Sequence, residues 1–252
     1  MTENQSPPAH SPRYIEALGW AADLHRRQRR KGKEVPYVAH LIAVSSLVWE
    51  DGGQMDHLEQ KHREELAIAA LLHDAIEDAG VSREQIAARF GERVAQIVAD
   101  CTDTNGAVEA GGEKEPWLLR KTRTIEHLQS APLDSLLVSA ADKAHNARDM
   151  VLDARRDPTM WSKFNAGLEG SAWYLLRLQQ TFSHRLSGSR SVELLGESVG
   201  EILASDSYRA CVPDGLAPAV WAAGYAERRQ LAEQESFSAP HPGAEGCRPA
   251  PA

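Results

Sequence analysis

The chain has 252 residues, a hydrophobic share of 42% and a formal net charge of −8. That length suits one domain, or one domain with an appendage, and is enough to bury a sizeable core. The acidic balance argues against a surface built for nucleic acid, so a polyanionic ligand needs a local basic patch, and no apolar stretch reaches the length of a membrane span.

Residues 1–12 read as a disordered N-terminus: they are polar and Pro-rich, with no basic stretch leading into an apolar run as a secretion signal requires. Tyr14, Ala17, Leu18, Ala21 and Ala22 recur at helical spacing and predict a first helix. It runs out in the basic string Arg26–Lys31, with Gly32 as the stop. Pro36 opens a second helix, whose stripe of Tyr37, Leu41, Val44 and Val48 ends at Asp51-Gly52-Gly53. A long third helix is expected from about Leu58 to Ala79, and Ser82 with Gln85 forms the capping-box pattern of the next. Residues 103–113 are Gly-rich and polar, hence a loop. Further helices are predicted at about 114–130, 133–152 and 158–184, the last opened by Asp157-Pro158. Two more, near Val192–Leu203 and Ala217–Glu233, form either an extension of the bundle or a small appendage. Residues 236–252 read as a disordered tail. No alternating strand pattern appears, so the fold class is all-α. Cys101, Cys211 and Cys247 are odd in number and widely spaced, which argues against a disulfide framework and a cysteine zinc site and suits a reducing cytoplasm.

The segment Ala67–Asp78, A-I-A-A-L-L-H-D-A-I-E-D, carries the chemistry. As a helix it places Ile68, Leu71, Leu72, Ala75 and Ile76 at apolar positions. His73, Asp74, Glu77 and Asp78 then share one broad face. Three neighbouring carboxylates repel one another. A solvated surface helix tolerates that; a helix this apolar is expected to be buried, where ionised carboxylates need a cation. His40 falls within the apolar stripe of the second helix, where a lone histidine is more often a hydrogen-bonded core residue than a ligand. Asp142, Asn146 and Asp149 form a polar stripe in S-A-A-D-K-A-H-N-A-R-D. Together His40, His73, Asp74 and Asp142 supply two imidazoles and two carboxylates, a mixed set suited to Mn, Fe, Zn or Co with positions left for water. Spacing alone does not assemble them, because their helices are far apart in sequence.

A resemblance does. Pro36-Tyr37-Val38-Ala39-His40, Leu71-Leu72-His73-Asp74-Ala75-Ile76-Glu77-Asp78 and Ala141-Asp142-Lys143-Ala144-His145-Asn146 follow in the order of the RelA/SpoT-type hydrolase domain, a member of the HD-domain family. The basic run His25–Lys31, Phe90-Gly91, Thr102-Asp103, Lys114-Glu115-Pro116-Trp117 with Arg120-Lys121, and Trp161 with Trp173-Tyr174 extend the likeness to the stand-alone small alarmone hydrolases, over about residues 12–185. Leu41 departs from it, since the family often has Pro after the metal histidine. The region after about Ser187 has no counterpart, and it is too short for the synthetase domain of bifunctional members.

The resemblance implies an all-helical HD bundle over residues 13–185, a helical extension over 186–235, and one metal, usually Mn²⁺ with other first-row ions possible, held by His40, His73, Asp74 and Asp142. It implies that Glu77 and Asp78 act on the attacking water and the leaving group, without dividing those roles. The implied reaction is hydrolysis of the 3′-pyrophosphate of (p)ppGpp to GDP or GTP and pyrophosphate. Alternatives are an HD phosphohydrolase acting on another nucleotide, ppApp or NADPH, and a non-catalytic alarmone-binding module. The expected partner is a small nucleotide, with neither nucleic acid nor membrane.

Arg30, Lys31, Lys143, Asn146 and Arg148 are the candidate substrate contacts. For the basic run, a helix C-terminus that favours cations is an equal account. Trp161, Trp173 and Tyr174 read as core. His25, His145 and Arg123 are left outside the metal set, His145 because it points about 60° off the Asp142 stripe.

Overall fold

The computed structural model describes residues 9–55, 58–102 and 115–238. Among these, every regular element is helical apart from one isolated bridge between Arg29 and Pro36. The predicted loop at 103–113 lies outside the described residues.

Helix α1 (Pro12–Leu24) starts where Ser11 accepts a hydrogen bond from the Arg13 N–H and Pro12 takes the first turn. Ser11 also donates its own N–H and its hydroxyl to the buried Glu64 carboxylate, each at 2.5 Å. The expected disordered start is therefore corrected for residues 9–12, whose polar groups find partners on the bundle. The basic run needs a second correction. Helix α1 stops at Leu24, and the chain then doubles back: the Arg30 N–H donates to Val35, the Tyr37 N–H donates to Gln28, and Gly32 turns the corner at φ 72°. Arg29, Arg30 and Lys31 thus sit on a small hairpin, and the helix-dipole account of them does not apply.

Helix α2 (Val38–Gly53) buries His40, Leu41, Val44 and Val48 on one face. It packs on α3 (Gln60–Leu72), in which every residue from Leu66 to Leu72 is buried, as expected of a helix apolar all round at the centre of a bundle. The predicted unbroken helix to Ala79 does not form. Asp74, at φ −100° and ψ 3°, steps out of the helix, and the chain restarts as α4 (Ala75–Ala79). Neither residue of the His73-Asp74 pair is a helix breaker. The break is a tertiary effect, since Asp74 is drawn to the Tyr37 hydroxyl.

Helices α5 (Arg83–Phe90) and α6 (Glu92–Cys101) follow the capping box of Ser82 and Gln85. Then come α7 (Trp117–Ser130) and the long α8 (Leu133–Arg156), which crosses α2, α3 and α6. The helix expected over 158–184 is split into a 3-10 turn, Pro158–Lys163, and α9 (Gly167–Arg185).

The C-terminal part is α10 (Arg190–Ala204), α11 (Asp206–Arg209), α12 (Pro218–Ala223) and α13 (Tyr225–Ser238). Helix α10 lies along α8, touches α2 and α9, and buries Leu195, Val199 and Ile202 in the common core. Its first turn is held by Asp51 of α2, whose carboxylate accepts from the Arg190 N–H and the Ser191 hydroxyl at 2.5 Å each. This region extends the bundle; it is no separate appendage. Helix α13 runs past the expected start of the tail, to Ser238. No helix among the described residues is long and apolar enough to cross a membrane.

Candidate metal centre

Two helices and one helix break converge beneath a cavity of about 540 Å³. Helix α2 brings His40, the α3–α4 break brings His73 and Asp74, and α8 brings Asp142. One ligand atom each from His40, His73 and Asp74 lies within 4.8 Å of the others. The Asp142 Oδ1 atom stands 3.2 Å from His40 Nε2 and 3.7 Å from His73 Nε2. The set that the sequence could not assemble by spacing is thus brought together.

The imidazoles are oriented from behind. The His73 Nδ1–H donates to the Ala70 carbonyl at 2.8 Å, which turns Nε2 inward toward the carboxylates. His40 Nδ1 meets His145 Nδ1 at 2.9 Å, one ring donating to the other, and His40 Nε2 faces the carboxylates. Both Nε2 atoms are buried and neither is aligned for a hydrogen bond, although carboxylate oxygens lie 3.0 to 3.7 Å away. Buried polar atoms are nearly always hydrogen-bonded, so two adjacent exceptions that point at one place call for a group between them. The donor set of two imidazole nitrogens and two carboxylates fits a divalent first-row cation.

The electrostatics agree. Burial works against a charge on His73, yet the Asp74 and Asp142 carboxylates outweigh it and raise its pKa well above the ordinary imidazole value. At His40 burial wins and lowers the pKa. Burial would raise the Asp74 carboxyl, but His73 and the Tyr37 hydroxyl, which donates at 2.5 Å, hold it down to about 2. Asp142 is also held low against burial, first by Lys143, which contacts it at 2.5 Å, and then by the two imidazoles. Both carboxylates of the floor are thus held ionised, as ligands of a cation must be.

Glu77 and Asp78, on α4, line the same cavity and are exposed to it. Asp78 Oδ2 accepts a hydrogen bond from the Gln28 amide at 2.7 Å. Among the predicted substrate contacts, Arg30, Lys143 and Asn146 line the cavity. Arg30 donates to Asn146 Oδ1 and Asp149, and Asn146 donates to Asp142 at 2.5 Å. Lys31 lines instead a neighbouring cavity of about 390 Å³, near Phe164. That cavity shares Arg30, Tyr37 and Asn146 with the first and is walled by Met150, Met160 and Phe164. Arg148 is not brought in: it follows Asn146 by two positions on α8 and faces solvent, away from both cavities.

Sequence reasoning missed several residues. Tyr37 read only as stripe, yet its hydroxyl holds Asp74. His145 was measured against the Asp142 stripe of its own helix, whereas its partner, His40, belongs to another. Arg120, Lys121 and Arg123, on α7, also line the cavity. The three aromatic residues read as core are buried: Trp161, Trp173 and Tyr174.

The sequence profile of the HD-domain family matches residues 17–163. The chain is 34% identical over 150 residues to guanosine-3′,5′-bis(diphosphate) 3′-pyrophosphohydrolase MESH1 of Xenopus tropicalis, covering 59% of this chain and 74% of that protein. With the protein of the same name from Drosophila melanogaster it shares 34% identity over 154 residues, 61% of this chain and 76% of that one. A solved structure of a metazoan ortholog of SpoT, described as hydrolysing ppGpp and playing a role in starvation responses, superposes with a TM-score of 0.53 at 29% identity, over 77% of this chain and 96% of that chain.

Proposed function

The chain belongs to the HD-domain family, in the group that includes the MESH1 hydrolases, and from that premise we propose that it hydrolyses the 3′-pyrophosphate of (p)ppGpp with one divalent cation, Mn²⁺ in our reading. The observation that carries this is the pair of unpartnered nitrogens, His40 Nε2 and His73 Nε2, facing the Asp74 and Asp142 carboxylates at the base of a cavity. These four residues would hold the cation. The chemistry it supplies when bound is Lewis-acid activation of water and offset of phosphoryl charge.

The chain's own groups then have the following roles. Glu77, on α4 just past the break at Asp74, accepts the proton of the attacking water. Asp78 serves the same water or the departing 3′-oxygen, which leaves as a hydroxyl while the water oxygen joins the pyrophosphate. Lys143 and the cations of α7 face the phosphates from the cavity walls, in keeping with a polyanionic substrate on an otherwise acidic chain. The half-apolar second cavity, reached past Arg30 and Asn146, suits the nucleoside end, with Lys31 at its rim. Cys101 and Cys211 are free thiols, and a cytoplasmic setting is part of the proposal.

The test is the purified full-length protein with Mn²⁺ offered ppGpp, pppGpp, ppApp and NADPH, with products identified. Release of pyrophosphate from ppGpp, abolished in Asp74→Ala, supports the proposal. Turnover of ppApp or NADPH alone would replace the substrate. Tight binding of ppGpp without turnover would make the domain a sensor.

A further inference from the structure

Asp78 is tied to a residue outside the metal set. The Gln28 amide nitrogen donates to Asp78 Oδ2 at 2.7 Å, across 50 positions of sequence. The other end of the amide is also fixed, since Gln28 Oε1 lies 2.6 Å from His25 Nδ1. An amide oxygen only accepts, so His25 Nδ1 must donate. The Asp78 carboxylate also only accepts, so both contacts agree on the sense of the amide, with its NH₂ turned to the carboxylate. His25 is buried at 3% exposure, and its ring lies against Tyr37 with centroids 5.3 Å apart. Tyr37 in turn holds Asp74. The Gln28 backbone carbonyl accepts from the Tyr37 N–H at 3.0 Å, so its position is locked to the hairpin that carries Arg30.

We propose that Gln28 is a positioning residue for the hydrolytic pair: it holds Asp78, an exposed carboxylate on a short helix, in one orientation over the cavity, and His25 sets the direction of the Gln28 amide. This rests on the reading of Asp78 as a member of that pair. A carboxylate on a helix of five residues has little else to fix its rotamer, and an unfixed group loses the orientation that catalysis needs. Gln28 is well suited to this task because it donates without a charge, leaving Asp78 an acceptor.

The experiment uses the full-length, Mn²⁺-loaded protein and ppGpp, with kcat and KM measured separately and metal content checked for each variant. Gln28→Ala should lower kcat by about 10- to 30-fold with KM changed by less than about threefold, in the range of outer-shell substitutions. Gln28→Glu is the decisive variant. It keeps size and shape but cannot donate to a carboxylate, so it should be impaired at least as much as Gln28→Ala. Gln28→Glu near full activity would mean that Gln28 only fills space, and the proposal would fall. His25→Phe keeps the ring against Tyr37 and should lose less, about three- to tenfold. The double variant Gln28→Ala/Asp78→Asn should match Asp78→Asn within about twofold; losses that multiply would overturn the proposal.

Unfolding of the parent, Gln28→Ala, Asp78→Asn and the double variant reads the contact without turnover. A severalfold coupling between positions 28 and 78 in the unfolding constant supports the contact, and independent effects contradict it. If Asp78→Asn turns over as fast as the parent while that coupling is present, the reading of Asp78 is what fails, and the role of Gln28 in catalysis goes with it.

Discussion

Two places in this molecule bury carboxylates, and they are finished differently. Where α2 meets α10, Asp51 is 1% exposed, and its oxygens are taken by the Arg190 N–H and by the hydroxyl and N–H of Ser191. Glu64, on α3, is likewise closed by Ser11. These sites are complete within the chain, and their carboxylates act as caps and clamps. At the base of the cavity the oxygens of Asp142 also have donors, in Lys143 and Asn146, and Tyr37 serves Asp74. Yet two buried imidazole nitrogens beside them have none. The first kind of site stabilises the fold; the second is left incomplete in protein terms, and a cation completes it. Burial of a carboxylate is therefore a poor marker of function, and an uncompensated partner beside it is a good one.

Substitutions should separate the two kinds cleanly. The largest effect is expected at the cavity base. Asp74→Ala should remove stoichiometric metal and lower turnover by more than the roughly 100-fold reached by outer-shell changes, while circular dichroism stays that of the parent. Metal analysis and ppGpp assays check it. Asp51→Ala should do the opposite. It strands the first turn of α10 and should cost about 3 kcal/mol in urea unfolding, with metal content and turnover per folded molecule kept. Loss of metal in Asp51→Ala, or of stability alone in Asp74→Ala, would erase the distinction.

His145 tests the boundary between the two kinds, because it touches a ligand without being one. His145→Phe should weaken Mn²⁺ binding by about 10- to 100-fold without abolishing it, as measured by titration of the metal-free protein. The pH dependence is smaller again per step and has a definite sign. His73 has a raised pKa because two carboxylates favour its proton, and that proton must leave before Nε2 can bind metal. Metal affinity should therefore fall as pH drops below the raised His73 value, by about tenfold per unit for one released proton, and level off above it. Affinity flat across that range would show that His73 stays outside the coordination set.

Much of this was legible in the sequence, for reasons that can be stated. The stripes of α2 and α8 are local, as is the cap of Ser82 and Gln85 that opens α5, so these elements stand close to where they were expected. The four residues of the cavity base came from motif order alone, since their meeting is a property of the bundle. What was not legible is tertiary. The break at Asp74 is caused by Tyr37, a residue 37 positions away. The hairpin that takes Arg30 off the helix end is held by backbone bonds and by the reach of Arg30 to Asn146 and Asp149. Nor could Arg148 be told from Asn146 by motif: two positions along a helix turn a side chain by about 200°, and that rotation takes Arg148 out to solvent.

Stripping the full-length chain with a chelator and titrating Mn²⁺ back, with bound metal and melting temperature followed together, tests the centre most directly. One ion per chain should bind and raise the melting temperature, and alanine at any one of His40, His73, Asp74 or Asp142 should abolish both responses. Stoichiometric binding that survives unchanged in all four variants, or no binding by the parent, would mean that these side chains enclose nothing.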